Sequence, residues 1–171
     1  HDAEFTSDGK FAGGIFFENG GYVELEKTGT HAFANNSIFT LETWVFMDHA
    51  QEGEKAPLLS RRQDDLGWEL GIYGEQMPAK LHKVYFEADS TVIESDGIIG
   101  TGGWHHIAVL RQNIPGDSLK IYIDGRLVQA IADSTAKSDM DIPVWIGRST
   151  KLNSSFFFTG TMDEIRISGV T

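Results

Sequence analysis

The chain has 171 residues, no cysteine, and a formal net charge of −11 from 25 acidic against 14 basic residues. This excludes a disulfide framework, a thiolate zinc centre and a cysteine nucleophile. The negative field repels phosphate backbones and anionic membranes but is compatible with cations such as Ca²⁺. The apolar stretches are strand-sized, well short of the ~20 residues that span a bilayer.

The length suits one domain over residues 1–171, large enough to build its core without covalent staples. The opening His1-Asp2-Ala3-Glu4 reads as the start of a domain excised from a longer protein, whose signal peptide or anchor would lie outside it. Candidate strands follow in order as Gly21–Glu26, Ile38–Met47, Leu58–Arg62, Trp68–Tyr73, Leu81–Ala88, Thr91–Ser95, Trp104–Arg111, Ser118–Ile123, Arg126–Ala132, Val144–Gly147 and Thr161–Ile167. Turn-rich segments such as Gln63-Asp-Asp-Leu-Gly67 and Gly100-Thr-Gly-Gly103 separate them, a spacing that predicts a sandwich or barrel. No stretch keeps helical periodicity for three turns. In Ile38–Met47, Phe39, Leu41, Thr43, Val45 and Met47 form one face. Trp44 and Phe46 on the other predict a strand that is covered on both sides or central in its sheet. Asp124-Gly125 between Leu119–Ile123 and Arg126–Val128 predicts a type I′ hairpin.

Several of these pieces stand in an order that resembles the laminin G-like members of the concanavalin A-like lectin/glucanase superfamily. Asp8-Gly-Lys-Phe-Ala-Gly-Gly14 with Ile15-Phe-Phe17 and Tyr22-Val23 is similar to the opening of those domains. Phe39-Thr-Leu-Glu-Thr-Trp-Val45, Leu58-Leu-Ser-Arg61, Gly67-Trp-Glu-Leu-Gly71, Gly103-Trp-His-His-Ile-Ala-Val109, Tyr122-Ile-Asp-Gly125, Ile146-Gly-Arg148 and Phe158–Ile167 continue the series. The resemblance implies an all-β, two-sheet antiparallel jelly-roll sandwich with its terminal strands close together. Trp44 and Trp104 are expected to pack, and Arg148 and Arg166 to hold strand ends by pairing with Glu42 or Glu164.

The superfamily invites a glycoside hydrolase, which needs two carboxyl groups on one groove. The E-x-D-x-E strand of the hydrolytic relatives is missing. The acidic pairs two apart (Glu24/Glu26, Glu87/Asp89, Glu94/Asp96, Asp139/Asp141) sit at or beyond strand ends. A pair assembled from distant strands stays open. There is no G-x-S-x-G elbow. His105 and His106 are neighbours that face opposite ways, which predicts one buried, one exposed, and no shared metal. Calcium accepts isolated carboxylates completed by carbonyls and water. The resemblance places a structural Ca²⁺ where the chain start meets the last strand, with Asp163 as ligand and Asp8, or else Asp2, beside it. The alternative is that Asp163 accepts turn amides. Asp64 and Asp65 are a second, loop-borne candidate.

Carbohydrate binding needs aromatic faces with planar polar groups nearby, and the candidates are Trp68, Tyr73, Tyr85, Trp145, Phe156 and Phe157. Three neighbours cannot all face a core. The resemblance assigns Phe158 to the core, which leaves Phe157 facing outward as a sugar platform, a contact with another domain, or a ring covered by the N-terminal segment. Asn35-Asn-Ser37 and Asn153-Ser-Ser155 are glycosylation acceptor patterns. The expected function is a monomeric, noncatalytic binding module for a glycan or polysaccharide, extracellular, cell-surface or periplasmic. An adhesion or spacer domain touching neighbouring domains and a glycoside hydrolase are the alternatives.

Overall fold

The structure is a computed structural model that describes residues 2–27, 38–113, 116–133, 138, 140–151 and 154–170. The pattern Asn35-Asn-Ser37 and residue Asn153 lie outside the described residues. Thirteen strands and no helix occur among them: β1 (Glu4–Thr6), β2 (Gly14–Phe17), β3 (Val23–Glu24), β4 (Ile38–Phe46), β5 (Lys55–Gln63), β6 (Leu66–Tyr73), β7 (Lys83–Ala88), β8 (Thr91–Ile98), β9 (Trp104–Gln112), β10 (Ser118–Ile123), β11 (Arg126–Ala132), β12 (Trp145–Ile146) and β13 (Gly160–Val170).

They form two antiparallel sheets. The seven-stranded sheet runs β1-β2-β13-β4-β9-β10-β11, and the six-stranded sheet runs β3-β12-β5-β6-β7-β8. The two ends of the chain lie close together, as β2 pairs with β1 on one side and with β13 on the other (Met162 opposite Ile15). The core fills the space between the sheets with Leu41, Val45, Leu59, Leu70, Phe86, Val109, Ile121 and Met162. Phe39 of one sheet meets Phe86 of the other at 5.6 Å between ring centroids.

Strand β4 alternates as its sequence predicts. Phe39, Leu41, Thr43 and Val45 are buried, and Met47 follows them inward. β4 lies between β13 and β9, and its outer residues are themselves covered. Phe11 stands edge-on to Trp44 at 5.9 Å, Lys10 sits over the same indole, and Phe46 packs on Trp104. Strands β1 and β2 were not anticipated. Glu4-Phe-Thr6 has no alternation to reveal it, with Phe5 94% exposed, and only its pairing with Gly14–Phe16 defines it as a strand. Pro57 lies inside β5, a position that a sheet tolerates at a bulge, and the β5–β6 register shifts there.

The hairpin between β10 and β11 closes on Asp124 (φ 50°) and Gly125 (φ 75°), the two positive angles of a type I′ turn. The Asp124 carboxylate then reaches back to β9. Its Oδ1 accepts from His106 N–H at 2.9 Å and its Oδ2 from His105 Nδ1 at 2.8 Å. Gly100 N–H donates to His105 Nε2, which places the imidazole proton on Nδ1. Both histidines are thus half-buried and partnered, His106 with Glu42 at 3.6 Å, rather than one buried and one exposed. Each is fixed by a carboxylate on its own side of the sheet. Burial pushes the Asp124 carboxyl up, but the bonds from His105 and His106 outweigh it and hold the group below the usual carboxylate range.

Two predictions follow from this geometry. At Gly147 (φ 85°) an added methyl would lie 2.5 Å from the buried Phe17 ring, whereas at Gly125 it would meet nothing. Gly125→Ala should therefore cost about 1–2 kcal/mol of backbone strain, and Gly147→Ala clearly more, in urea unfolding. Since its folded pKa is depressed, Asp124 stabilises fully above its unfolded value of about 3.9 and ceases to as pH falls through the lower folded value. The melting-temperature gap between wild type and Asp124→Asn should be constant near neutral pH and close below about pH 4.

Candidate functional site

The outer face of the six-stranded sheet is set by cross-strand register. Glu24, Trp145, Ser60, Glu69, Glu87 and Val92 oppose one another in succession across β3, β12, β5, β6, β7 and β8. Directly opposed residues project to the same side. The neighbouring row, from Val23 through Ile146, Leu59, Leu70 and Phe86 to Ile93, packs into or against the core. The first row therefore faces outward.

The centre of that row is sealed. The chain leaving β12 folds back over it, and Ser149 Oγ donates to Glu69 Oε2 at 2.6 Å. Ser60 Oγ donates to the same oxygen at 2.8 Å, and Tyr85 O–H to Oε1 at 2.9 Å. Thr150 N–H donates to Ser60 Oγ, and Thr150 Oγ1 donates to the Arg62 carbonyl. Beside this, Glu87 pairs with Arg62 at 3.0 Å and with Lys55. Tyr73 O–H donates to Glu94 Oε1 at 2.7 Å, and Lys80 pairs with the same carboxylate. Burial first, then Glu69, pushes the Tyr85 phenol well up, and burial first, then Glu94, does so for Tyr73. Both hydroxyls thus remain donors. Burial raises Glu94 as well, but its bonds from Lys80 and Tyr73 prevail and hold it low.

These contacts correct three sequence expectations. Trp68 is a core residue, 3% exposed, and Tyr85 is fully buried. Tyr73 is buried too, and the ring faces of Tyr73 and Tyr85 are capped by the ammonium groups of Lys80 and Lys55. None of the three presents a face to a ligand. The reason is the segment and the lysines that cover a sheet face, which strand periodicity does not report.

Trp145, Phe156 and Phe157 behave differently, as all three are half-buried at the margin of the same face. Trp145 packs on Tyr22 with ring centroids 4.6 Å apart, and its Nε1–H donates to Glu24 Oε2 at 2.9 Å. The Arg148 guanidinium lies over the other ring of this pair, 5.5 Å from the Tyr22 centroid. Backbone bridging joins Arg148 to Phe157, while Phe158 is fully buried in the core. A cleft of about 270 Å³ beside Trp145 is lined by Gln63, Ile142, Pro143 and Thr150. A second, of about 420 Å³, lies beside Phe156 and Phe157 and includes Glu52, Glu54, Gln76 and Ser155. A cleft of about 630 Å³ opens at the sheet edge between Phe5, Val23, Ile146 and Ile165. Its lining is mainly aliphatic, with Phe5 as its aromatic residue and Asp163 and Glu164 as its polar side chains.

Tyr22, Glu24 and Arg148 were not among the predicted site residues. Tyr22 and Glu24 stand two apart in sequence, a spacing that puts them on one face, but their partnership with Trp145 is long-range. Arg166 pairs with Glu42 at 3.1 Å as expected, whereas Arg148 stacks on Tyr22 instead of joining a glutamate.

The residues expected to hold calcium do not form a side-chain cage. Asp163 Oδ2 accepts from Phe11 N–H at 3.1 Å and Oδ1 from Glu164 N–H at 2.7 Å. Asp8 N–H donates to Thr6 Oγ1. Asp65 faces Lys151 at 3.5 Å and Arg62 at 3.9 Å. No group of three His, Cys, Asp or Glu side chains converges among the described residues.

The comparison with curated proteins returns no match. Solved structures match throughout. Domain 4 of the GH43 extracellular arabinanase AbnA from Geobacillus stearothermophilus, in complex with arabinotriose, superposes with TM-score 0.72 at 15% identity, covering 100% of this chain and 78% of that one. The CBM40 of the Ruminococcus gnavus IT-sialidase, bound to α2,3-sialyllactose, gives 0.65 at 14%, covering 92% and 91%. Domains LG4-5 of the mouse laminin α1 chain give 0.61 at 17%, with 98% of this chain but only 42% of that one covered. These similarities are of fold. A laminin G-type family model matches residues 17–171, and the chain belongs to the concanavalin A-like lectin/glucanases superfamily.

Proposed function

We propose that this domain is a noncatalytic glycan-binding module, working in an extracellular or cell-surface setting, whose platform is the Trp145–Tyr22 pair with Phe156 and Phe157 beyond it. The observation that carries this reading is the anchored, half-buried indole. Its N–H is held by Glu24, its ring is set on Tyr22, and a cleft opens beside it on the outer face of the sheet. Fixed aromatic rings receive the C–H faces of a sugar, and planar polar groups such as Gln63, Glu24 and Arg148 are at hand for its hydroxyls. Two similar structures contain glycans, arabinotriose and sialyllactose, which supports the same class of ligand.

Hydrolysis is the weaker reading for a specific reason. Glu69 and Glu87 oppose each other across β6 and β7, the one directly opposed carboxylate pair on this face among the described residues. Glu69 is engaged by three hydroxyls, one of them on the returning chain, and Glu87 by two cations. A glycosidic bond has no access to them in this arrangement. Phe5 and Phe11, 94% and 68% exposed, favour a second reading in which the N-terminal segment on the seven-stranded sheet contacts a neighbour.

Titration calorimetry against an oligosaccharide panel tests the proposal. Trp145→Ala should weaken binding at least about tenfold while the melting temperature stays close to wild type. Unchanged affinity in that variant, or no binding across the panel, would refute it. For Asp163 we propose a strand-anchoring role. Asp163→Ala should lower the melting temperature by the same amount in millimolar Ca²⁺ and in excess chelator, since a metal bound only to the folded state would raise it in Ca²⁺ alone.

A further inference from the structure

Arginines in this domain are mostly committed. Arg61 donates to the Ile142 carbonyl, Arg62 pairs with Glu87, Arg111 with Asp133, and Arg166 with Glu42. Arg126 stands exposed at the hairpin. Arg148 differs from both groups. It is half-buried, yet among the described residues its guanidinium has no hydrogen bond or ion pair and meets only the Tyr22 ring as a charged or ring partner. The chain offers 25 carboxylates against 14 basic groups, so an acidic partner was abundantly available. Partial burial of a charge without such a partner is unfavourable. Its place over the Tyr22 ring restrains the guanidinium, and its N–H fork has no hydrogen-bond acceptor among the described residues. A fork held in this way is pre-organised for a carboxylate or for the tetrahedral oxygens of a sulfate ester.

The surroundings narrow the ligand further. Trp145 and Tyr22 supply an apolar bed beside the guanidinium. The carboxylate of this cluster, Glu24, is engaged by the indole N–H. The net charge of −11 repels a densely charged polymer at long range. An isolated acidic unit in an otherwise neutral glycan escapes most of that repulsion and still reaches the fork.

From these observations we infer that Arg148 makes the module selective for a glycan carrying a single oxyanion, a carboxylate or a sulfate ester, seated beside the Trp145–Tyr22 platform. The inference rests on the glycan-binding reading above and specifies its ligand class.

Calorimetry with four trisaccharides of one backbone tests it: a form with one uronic acid, its methyl ester, a form with one sulfate, and the neutral form. At least one acidic form should bind about tenfold or more tightly than its neutral counterpart, and the two acidic arms identify which oxyanion is read. Arg148→Gln should bring that acidic form down to the neutral affinity, and Arg148→Lys, which keeps the charge but not the fork, should recover part of the preference. Thermal melts confirm that both variants are folded. Equal binding of acidic and neutral forms by wild type overturns the inference but leaves the glycan reading intact. A preference that survives in Arg148→Gln does the same. Failure of all four to bind overturns both.

Discussion

The structure depends on a carboxylate placed where carboxylates are least welcome. Glu69 is in the middle strands of a sheet, almost wholly buried, and no cation touches it among its hydrogen bonds. Three hydroxyls hold it, from Ser60 on the adjoining strand, Tyr85 on the next, and Ser149 on the chain that returns over the face. Removing one donor would leave a buried carboxylate oxygen under-satisfied, most of all Oε1, which Tyr85 serves, and that costs more than the bond itself stabilises. The returning chain is therefore pinned, and the positions of Arg148 and Phe157 follow from that pinning.

The neighbouring carboxylates are resolved by other means. Glu87 takes two cations, and Glu94 takes a phenol and a lysine. Each solution consumes the group for architecture. The outer face of this sheet is thereby a closed polar layer, and what remains accessible is its margin. There the chemistry is aromatic and planar, suited to holding a ligand rather than cleaving it.

Much of the fold was legible in the sequence because it depends on local pattern. The alternation of Phe39 to Met47 and the Asp124-Gly125 turn each encode their own geometry within a few residues. β1 was not legible, because Glu4-Phe-Thr6 becomes a strand only through pairing with β2. The candidate site divides by burial. Trp145, Phe156 and Phe157 lie where an aromatic platform can form, but Trp68, Tyr73 and Tyr85 were misplaced. A strand pattern tells which side a ring projects from and not what later chain covers that side. Arg148 shows the same limit, as its stacking on Tyr22 joins opposite ends of the sequence and leaves no mark in either segment.

The anchored indole also has an optical consequence. Of the four tryptophans, Trp68 is enclosed in the core and Trp44 and Trp104 belong to the other sheet, so Trp145 is the one emitter at the candidate surface. Its orientation is held by Glu24, and Tyr22 lies close enough to pass excitation to it. Seating of a sugar on that ring would dry one of its faces without moving it, shifting the emission towards the blue. The domain thus carries its own unlabelled reporter of occupancy, with Trp145→Phe as the natural dark reference.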